Sequence, residues 1–311
     1  MRYLVTGGAG FIGQHLCRAL LQAGHEVISL DVRENGLSWR NDPLHVRGDV
    51  RDHRIVGPLV KSVDGVFHLA AIVGFANVMA RMRETIVTNT AGTECVLHHA
   101  HMCGVPVLLT STSACYGRST NTAPVREDQD GILGPTQRTS WAYAYAKAVD
   151  EALAFAYHQD GLPVCIARVF NTVGPGQSAE AGFVFPRFIE AAISGDPLIV
   201  HHPGTQARTF GHVADVARML IALMNGIREQ TNGQLVNVGG RERITIQELA
   251  LRIVHTLDSK SPIVSADAPY GSGYDNVTDR EPNLQKLKAL TGLEPEHSLE
   301  DMILDTAGAL I

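Results

Sequence analysis

The feature that most constrains the fold of this chain is a glycine-rich turn close to its start. Residues 3–13 read Tyr-Leu-Val-Thr-Gly-Gly-Ala-Gly-Phe-Ile-Gly, so a short apolar run ends in glycines, and a helical pattern follows. Glycines at this spacing permit a tight turn out of a strand, close approach of a pyrophosphate and close packing of the helix on the sheet. The free N–H groups at the start of the helix would hold the phosphates. The stretch therefore predicts a dinucleotide-binding strand–turn–helix.

A second apolar run, residues 26–30, ends in Asp31. An acidic side chain at the end of the second strand can accept hydrogen bonds from both ribose hydroxyls of an adenosine. Because a 2′-phosphate would be repelled there, this residue favours NAD over NADP. We therefore predict NAD as the cofactor.

Composition restricts the class of protein further. The chain has 311 residues, 45% of them hydrophobic, and carries a net charge of −6 without a run of lysine or arginine. This charge argues against nucleic acid and anionic membranes as partners. The five cysteines show no paired spacing, which argues against a disulfide framework or a zinc site. With a predicted strand at residues 2–6 and no apolar run of membrane-spanning length, we expect a cytoplasmic protein.

Short apolar runs alternate with amphipathic stretches over the first 170 residues. This alternation predicts an α/β fold with a doubly wound, mostly parallel sheet, in which ligands bind at the carboxyl ends of the strands. We expect a cofactor domain from residues 1–170 and about 212–239, and a smaller lobe from about 171–211 and 240–311. The candidate strands are residues 2–6, 26–30, 44–47, 66–69, 106–110, 164–169 and 233–239, and the candidate helices are residues 11–23, 54–62, 84–103, 141–159, 184–194, 212–224 and 245–257.

Tyr143 and Lys147 are four residues apart in a helical stretch, so their side chains share a face. An ammonium near a phenol favours the phenolate and lowers the pKa of the tyrosine. The same lysine can hold the ribose of a nicotinamide. Tyr143 would then take the proton of a substrate hydroxyl as a hydride leaves the carbon.

A group of hydroxyl residues, Thr110 to Ser113, follows the apolar run 105–109. Hydroxyls at the carboxyl end of that strand would face the ligand, and one of them can hydrogen-bond the oxygen that Tyr143 deprotonates. A group of capping and turn residues is the alternative interpretation.

With these motifs the chain resembles the extended short-chain dehydrogenases/reductases, in the branch that modifies nucleotide-diphosphate sugars. The resemblance covers nearly the whole length. It implies a Rossmann fold with a smaller C-terminal substrate-binding lobe, NAD as cofactor, and a nucleotide-diphosphate sugar, with UDP favoured, as substrate. It also implies a homodimer formed by helices 84–103 and 141–159. Further landmarks are Gly48-Asp49-Val50, His68 to Ala71, Asn89 to Thr93, Arg168 to Gly176, Gly204 to Arg208, His212 to Asp215 and Leu290 to Gly292.

The resemblance also implies roles for single residues. Thr112 matches the catalytic Ser/Thr of the family, Arg208 and Arg280 would pair with the diphosphate through their guanidinium forks, and His201 would stack on the base. The implied cofactor-binding residues are Gly7, Gly10, Phe11, Ile12, Gly13, Asp31, Asp49, Val50, Leu69, Ala70, Ala71, Asn89, Tyr143, Lys147 and Phe170. The implied substrate-binding residues are Thr112, Ser113, Asn171, Val184, His201, Arg208 and Arg280.

The residues after Thr112 depart from the pattern of some subclasses. The family oxidises the sugar at C4; its 4,6-dehydratases usually carry Asp-Glu after the threonine and its decarboxylases usually keep the Glu. Here these positions are Ser113 and Ala114. Since alanine cannot protonate a leaving hydroxyl, 4,6-dehydration is disfavoured, and 4-epimerisation, which needs no further acid, is the leading prediction. The loop 177–180 offers no cation for a carboxylate, which disfavours uronic acid substrates.

Cys115 keeps a second reaction open. A thiol near the sugar acts as an acid or base if its pKa is suitable, and the chain would then be a catalyst of 5,6-dehydration to an exo-glycal sugar. The 5,6-dehydratases of tunicamycin-type nucleoside antibiotic pathways, which use UDP-N-acetylglucosamine, are the model. A small buried hydrophobic residue is the alternative interpretation of Cys115. From another class, a redox-silent NAD-binding regulator would commonly lack Tyr143 or Lys147, and both are present.

Overall fold

The computed structural model describes residues 1–34, 44–118, 124–267 and 280–310. The strands, in chain order, are β1 (Arg2–Thr6), β2 (Glu26–Asp31), β3 (Leu44–Arg47), β4 (Gly65–His68), β5 (Val107–Thr112), β6 (Val164–Val169), β7 (Thr172–Val173), β8 (Leu198–His201), β9 (Ala207–Thr209), β10 (Gly211–His212), β11 (Gln234–Val238), β12 (Arg243–Thr245) and β13 (Ile263–Ala266). The helices are α1 (Phe11–Gln22), α2 (His53–Lys61), α3 (Phe75–Ala80), α4 (Met82–Cys103), α5 (Ala142–Gln159), α6 (Val184–Ser194), α7 (Val213–Asn225), α8 (Ile246–Thr256), α9 (Gln285–Thr291) and α10 (Leu299–Gly308).

Seven of these strands form one sheet in the order β11-β6-β5-β4-β1-β2-β3. Every neighbouring pair in it runs parallel. The chain order proceeds outward from β1 in one direction and from β4 in the other, so the switch point lies between these two strands. The doubly wound parallel sheet predicted from the sequence is therefore confirmed, and ligand sites of such sheets lie at the carboxyl ends near the switch point.

Both faces of the sheet are covered because its strand residues alternate between two apolar cores. Tyr3 and Val5 pack on one face with α1 and α7, whereas Leu4 packs on the other with α2, α4 and α5. A strand that is apolar at successive positions is the pattern expected of a parallel strand buried on both faces. In the described chain, no helix has both the length and the apolar composition needed to cross a bilayer.

A third apolar core lies outside the sheet. It combines α6, α8 and α10 with β8, and its central residues include Phe188, Leu198, Leu249 and Ile303. Strand β13 pairs with β8, and β12 pairs with β9. The helices α8 and α10 each begin with a capping box, formed by Thr245 with Glu248 in α8 and by Ser298 with Asp301 in α10. These elements fall in the ranges for which the sequence predicts a smaller lobe, although the domain boundary itself stays a prediction.

Where the sequence predicted a strand or a helix, the observed bounds differ from the prediction by at most two residues at either end. Helix α3 was not predicted. It follows Gly74, which has a φ of 91°, and six residues are too few for an amphipathic period to show in the sequence.

Candidate active site

The glycine-rich turn between β1 and α1 lies in close contact with neighbouring backbone. Gly7 has a φ of 70°, and its N–H donates to the Leu30 carbonyl at 2.8 Å. A Cβ at Gly7 would lie 2.8 Å from the Ala70 nitrogen, and one at Gly13 would lie 2.2 Å from the Gly7 oxygen. Gly10 begins α1 without a side-chain cap, so the first N–H groups of the helix are left for an anion. The turn fits the pyrophosphate of a dinucleotide.

Asp31 ends β2 beside this turn, and its carboxylate is buried. It accepts hydrogen bonds from the N–H of Ala9 at 3.1 Å and from that of Arg33 at 3.0 Å. The Arg33 Nε lies 3.4 Å from the same carboxylate. Its Nη2 would lie 3.4 Å from a Cβ at Gly10, so Arg33 lies over the turn. The sequence analysis missed Arg33; an arginine two residues after the strand-end acid was the available signal.

Asp49 and Val50, predicted to bind the cofactor, follow β3. Asp49 accepts a hydrogen bond from Arg51 Nε at 2.9 Å, and this bond is the main cause of its lowered pKa. Val50 is buried against α4, where a Cβ at Gly92 would lie 2.5 Å from Val50 Cγ1. Gly92 therefore lets α4 approach the loop that carries Val50.

The loop after β4 lies against the glycine turn. The N–H of Leu69 donates to the Thr6 carbonyl at 3.1 Å, and the N–H of Ala70 donates to Thr6 Oγ1 at 3.3 Å. Asn89 on α4 is 1% exposed; its Oδ1 accepts from the Ile72 N–H at 2.8 Å and its Nδ2 donates to the Ile72 carbonyl at 3.3 Å. Since both polar atoms of Asn89 bond Ile72, it positions this loop. A direct contact of Asn89 with the cofactor stays a prediction.

Three apolar residues predicted to bind the cofactor also have protein neighbours. Ile12 packs against the core under α1, and the Phe11 ring contacts that of His15 edge-on. Phe170 is 3% exposed, and its ring centroid lies 6.1 Å from that of Tyr116. Their cofactor contacts, like that of Ala71, stay predictions.

Thr112 and Tyr143 come together at the carboxyl end of β5. Thr112 is the last residue of β5, and Tyr143 lies in the first turn of α5. The Thr112 hydroxyl lies close enough to the Tyr143 phenol to lower its pKa, and both side chains are partly buried. The structure therefore brings a hydroxyl and a phenol side by side, as the acid–base chemistry predicted from the sequence requires.

The pKa of Tyr143 is raised, and the prediction that Lys147 lowers it is wrong for the protein by itself. Burial is the main cause; the neighbouring Cys115 and Asp150 raise this pKa further, and the hydrogen bond with Thr112 lowers it. Lys147 does not compensate because its Nζ donates to Asp150 Oδ2 at 2.7 Å. The two side chains of this pair are 3% and 0% exposed.

Buried polar residues connect α5 back towards the glycine turn. Burial raises the pKa of Asp150, although the Lys147 ammonium and the nearby Thr93 hydroxyl oppose this. Thr93 Oγ1 lies 3.1 Å from His68 Nε2, and His68 Nδ1 lies 2.7 Å from Thr6 Oγ1. Burial, with a contribution from Lys147, lowers the pKa of His68 to about 3. The imidazole is therefore neutral and joins β1, β4 and α4.

Glu151, the next residue of α5, belongs to a second buried network. It accepts hydrogen bonds from Ser111 Oγ, from Arg168 Nε at 2.9 Å and from Arg168 Nη2 at 2.7 Å. The Arg168 guanidinium carbon lies 4.5 Å from the centroid of the Tyr116 ring. This network ties α5 to β5 and β6. Both networks were missed by sequence reasoning, which considered the face shared by Tyr143 and Lys147 alone.

Burial alternates along the residues that follow Thr112. Ser113 and Cys115 are each 5% exposed, whereas Ala114 is partly exposed. Cys115 Sγ lies 3.6 Å from Ser111 Oγ, and burial raises the pKa of the thiol to about 12. Such a thiol is a poor acid or base at neutral pH. The structure thus places Ser113 and Cys115 on the buried side of the segment, and their contacts with the sugar stay predictions.

The residues predicted to bind the diphosphate lie on separate elements near this segment. Asn171 Nδ2 donates to the Thr209 carbonyl at 3.2 Å, which holds Asn171 against β9. Arg208 is on β9, where its Nη1 donates to the Ala207 carbonyl at 2.7 Å. Arg280 Nη2 donates to the Gly117 carbonyl at 3.4 Å. Asn171 is thus bonded to β9, the strand that carries Arg208. Arg280 is bonded to Gly117, at the end of the segment that follows Thr112.

The two remaining predicted substrate residues lie in the smaller core. His201 ends β8, Val184 begins α6, and both are partly buried. Burial, with a contribution from Arg187, lowers the pKa of His201. Its imidazole is therefore neutral at neutral pH, a state that suits stacking on a base.

Residues 3–239 match the NAD dependent epimerase/dehydratase family. This chain belongs to that family. A curated relative, the UDP-N-acetyl-alpha-D-glucosaminuronate decarboxylase of Bacillus cytotoxicus, is 37% identical over 98% of this chain and 96% of its own. A solved UDP-glucose 4-epimerase of Thermotoga maritima, with UDP-glucose, is 25% identical over 100% and 98%, with a TM-score of 0.88. A UDP-glucuronic acid 4-epimerase of Bacillus cereus, with UDP-glucuronic acid and NAD, is 26% identical over 100% and 99%, with a TM-score of 0.84.

Membership of the family confirms the resemblance to the nucleotide-sugar epimerases and dehydratases. This member is an enzyme, and NAD is its cofactor. The glycine turn, where α1 starts without a side-chain cap, and Asp31 are the features whose geometry fits NAD.

Proposed function

We propose that this enzyme is a 4-epimerase of a UDP-sugar. The pairing of Thr112 with Tyr143 at the end of β5 carries the proposal. Tyr143 takes the proton of the C4 hydroxyl, Thr112 hydrogen-bonds the same oxygen, and Lys147 holds the nicotinamide ribose. NAD, when bound, accepts a hydride from C4 and supplies it back. Return of the hydride to the other face of the ketone, with return of the proton from Tyr143, gives the epimer.

The nucleotide sugar would bind between the NAD-binding domain (1–170 and about 212–239) and the smaller lobe. Arg208 and Arg280 are proposed to pair with the diphosphate, and Asn171 to bind the adjoining sugar. Val184 and His201 would contact the base. The names of the three proteins reported above each contain a UDP-sugar, which supports UDP as the nucleotide.

The residues next to Thr112 favour epimerisation over elimination. Loss of water across C5 and C6 needs a base for the C5 proton and an acid for the leaving oxygen. Within residues 113–117, Cys115 is buried with a raised pKa, the Tyr116 hydroxyl donates to Asn237 at 2.7 Å, and Ala114 has no ionisable group. The 5,6-dehydration alternative therefore lacks a suitable group in this segment, and it stays a prediction that mutation of Cys115 tests.

Decarboxylation of a UDP-uronic acid is the second candidate, and the relative from Bacillus cytotoxicus favours it. The same C4 ketone makes the C6 carboxylate that of a β-keto acid, which loses CO₂ without a carboxylate at position 114. The C5 carbon then takes up a proton. The loop 177–180 argues against this candidate: it contains no cation, and Gln177 Nε2 is turned inward to the Thr172 carbonyl at 2.9 Å.

One experiment separates these reactions. The enzyme with NAD is incubated in deuterium oxide with UDP-glucose, UDP-N-acetylglucosamine and the two corresponding uronic acids, and the products are analysed by mass spectrometry and NMR. We expect a C4 epimer of unchanged mass without carbon-bound deuterium, and no product from Tyr143→Phe. Loss of CO₂ with deuterium at C5 would establish decarboxylation instead, and loss of water would establish dehydration. No turnover of any of the four sugars would contradict the proposal.

We also propose that the enzyme is a homodimer formed through α4 and α5. Val87 on α4 and Val149 on α5 are 47% and 48% exposed in the single chain, and a second copy of the chain would cover them in such a dimer. Sedimentation of the enzyme and of Val149→Glu tests this. We expect a dimer that the substitution weakens; a monomeric wild-type enzyme would refute it.

A further inference from the structure

Helices α2 and α4 bring histidine and cysteine side chains together. They lie on the side of α4 away from the buried polar residues Lys147, Asp150, Thr93 and His68. Cys95 and His99 are four residues apart on α4 and therefore share a face of the helix. His53 begins α2, which packs against this face. The donor atoms of His53, Cys95 and His99 all lie within 4.8 Å of one another. We call these three residues the His–Cys cluster.

The spacing of the two imidazoles fits a shared metal ion. His53 Nδ1 lies 3.1 Å from His99 Nε2. Two nitrogens that bind one tetrahedral zinc ion at its usual bond length are roughly 3.3 Å apart. A metal ion would therefore replace the hydrogen bond between these rings without a large movement of either. His98 is a further donor nearby, with its ring centroid 5.2 Å from that of His99 and 6.0 Å from that of His53.

The surroundings provide both room and negative charge. Gly57 lies one turn after His53 on α2, and a Cβ there would lie 2.9 Å from His99 Cε1. The glycine thus leaves the space that the His99 ring occupies. Burial and the carboxylates of Glu94, Asp52 and Asp49 raise the pKa of the Cys95 thiol to about 11, so an ion bound there would displace the thiol proton. Asp49 and Asp52 are paired with Arg51 and Arg54, so the attraction for a cation comes mainly from Glu94.

We propose that the His–Cys cluster binds one zinc ion or a similar late transition-metal ion. Imidazole and thiolate ligands select Zn²⁺ and its neighbours over Mg²⁺ and Ca²⁺, which prefer oxygen. The ion joins α2 to α4, and its fourth position is open to water or His98. The cysteine spacing in the sequence argued against a zinc site. The spacing does not reveal this one, because the ligands come from two helices that only the fold brings together. Asp49, predicted to bind the cofactor, is near Cys95, whereas Thr112, Tyr143 and Lys147 are not part of the cluster.

A second group of His and acidic residues shows why donor proximity alone is insufficient. His212, His297 and Asp305 also place their donor atoms within 4.8 Å. However, His212 Nδ1 accepts the Ala214 N–H at 3.2 Å, so Nε2 of the neutral ring carries the proton and has no lone pair for a metal ion. The His212 and His297 rings are also stacked, with centroids 4.0 Å apart. This group therefore does not fit a metal site.

The proposal is tested by metal binding to the full chain, freed of any affinity tag and stripped with a chelator. Titration with Co²⁺ reports ligand type by absorption, since a thiolate ligand gives a near-ultraviolet charge-transfer band and tetrahedral geometry gives intense visible bands. Competition between Zn²⁺ and a chromophoric chelator gives the affinity. The variants are His53→Gln, His99→Gln and Cys95→Ser. His101→Gln is the matched control, because His101 lies on the same helix but contacts the Tyr157 ring.

We expect one ion per chain, a cobalt–thiolate band that Cys95→Ser removes, and affinity about a hundredfold weaker in His53→Gln and His99→Gln. His101→Gln should bind as the wild-type chain does, and Zn²⁺ should raise the Tm of both. His53 is exposed, so His53→Gln should fold normally and keeps the test valid if Cys95→Ser does not fold. Absence of stoichiometric binding, a missing thiolate band, or full affinity in His53→Gln would each overturn the proposal. None of these readouts involves turnover, so the result is independent of the proposed reaction.

Discussion

Asp150 and Glu151 are consecutive acidic residues of α5, and both are buried, but their surroundings differ. The oxygens of Glu151 accept hydrogen bonds from Ser111 and from two nitrogens of Arg168. Asp150 accepts a hydrogen bond from Lys147 Nζ at Oδ2, while its Oδ1 has no hydrogen-bond partner among the described residues. Burial raises the pKa of Asp150. One carboxylate is fully satisfied, and the other is not.

This difference indicates that Glu151 supports the structure, whereas Asp150 acts on the reaction through Lys147. A bidentate, buried ion pair such as Arg168–Glu151 fixes the helix on the sheet through directional bonds. Lys147 has three N–H donors, and its bond to Asp150 is the contact that the structure shows for them. A lysine bonded in this way keeps donors for the hydroxyls of a ribose. We infer that the Glu151 network holds α5 and that the Asp150 pair positions Lys147.

The largest expected effect is that of Lys147→Met on turnover. The substitution removes the ammonium proposed to hold the nicotinamide ribose and leaves Asp150 without its partner. We expect kcat to fall by about a thousandfold, the range in which acid–base and positioning groups act. Steady-state kinetics with saturating NAD measure this, with Lys61→Met on the exposed end of α2 as control. A decrease of less than tenfold would contradict the role given to Lys147.

Glu151→Gln should mainly affect stability. It leaves the Arg168 guanidinium, which is 12% exposed, without a counter-charge, and breaking a buried pair in this way costs about 3–5 kcal/mol. Urea denaturation measures the free energy of unfolding. Asp128→Asn, which breaks the exposed pair with Arg126, is the control and should cause no measurable loss. Equal losses in the two variants would show that the Glu151 network is not a structural support.

Asp150→Asn should shift the pH dependence of turnover. The negative charge of Asp150 contributes to the raised pKa of Tyr143, so its removal lowers that pKa. Activity that depends on the Tyr143 phenolate will then rise at lower pH than in the wild-type enzyme. The pH profile of kcat/KM measures this, and Asp160→Asn at the end of α5 is the control. A profile that moves to higher pH would contradict the inferred pairing.

The same substitution has a smaller, separate effect on stability in the acid range. Because the pKa of Asp150 is raised above its ordinary value of 3.8, the folded chain binds this proton more readily than the unfolded chain. Its contribution to stability therefore falls as pH rises from about 3.8 through the raised pKa. Asp150→Asn should remove this fall, so its stability relative to wild type should increase with pH over that interval. Denaturation at a series of pH values tests the sign; an opposite trend would contradict it.

How much of this was available from the sequence depends on the distance over which each feature is encoded. The sheet, the glycine turn and the positions of Thr112 and Tyr143 follow from local apolar runs and motif spacing, which the sequence displays directly. The partner of Lys147 does not. Helical spacing allows Lys147 to reach either Tyr143 or Asp150. In the fold Lys147 and Asp150 are buried together, and Lys147 bonds Asp150.

The His–Cys cluster and the Cys115 thiol show the same limit. His53 and Cys95 are brought together by packing of α2 on α4, which no periodicity reveals. Cys115 follows Thr112 closely enough to be predicted at the sugar, but the short helical turn after β5 puts it on the buried side. The orientation of the Cys115 side chain follows from the conformation of this turn, which is a property of the folded segment.

Cys115→Ala is expected to have the smallest effect. It tests whether the thiol supports the structure, as the Glu151 network does, or takes part in the reaction. Cys115 Sγ lies near Ser111, a member of the Glu151 network, so we expect unchanged kcat and a stability loss of about 1 kcal/mol from the buried volume removed. Cys165→Ala is a matched control, because Cys165 is a buried thiol of β6 whose pKa is also raised to about 12. Turnover and urea denaturation of both variants are compared. If Cys115→Ala lost turnover while Cys165→Ala kept it, Cys115 would act on the sugar and 5,6-dehydration would replace 4-epimerisation as the reaction to test.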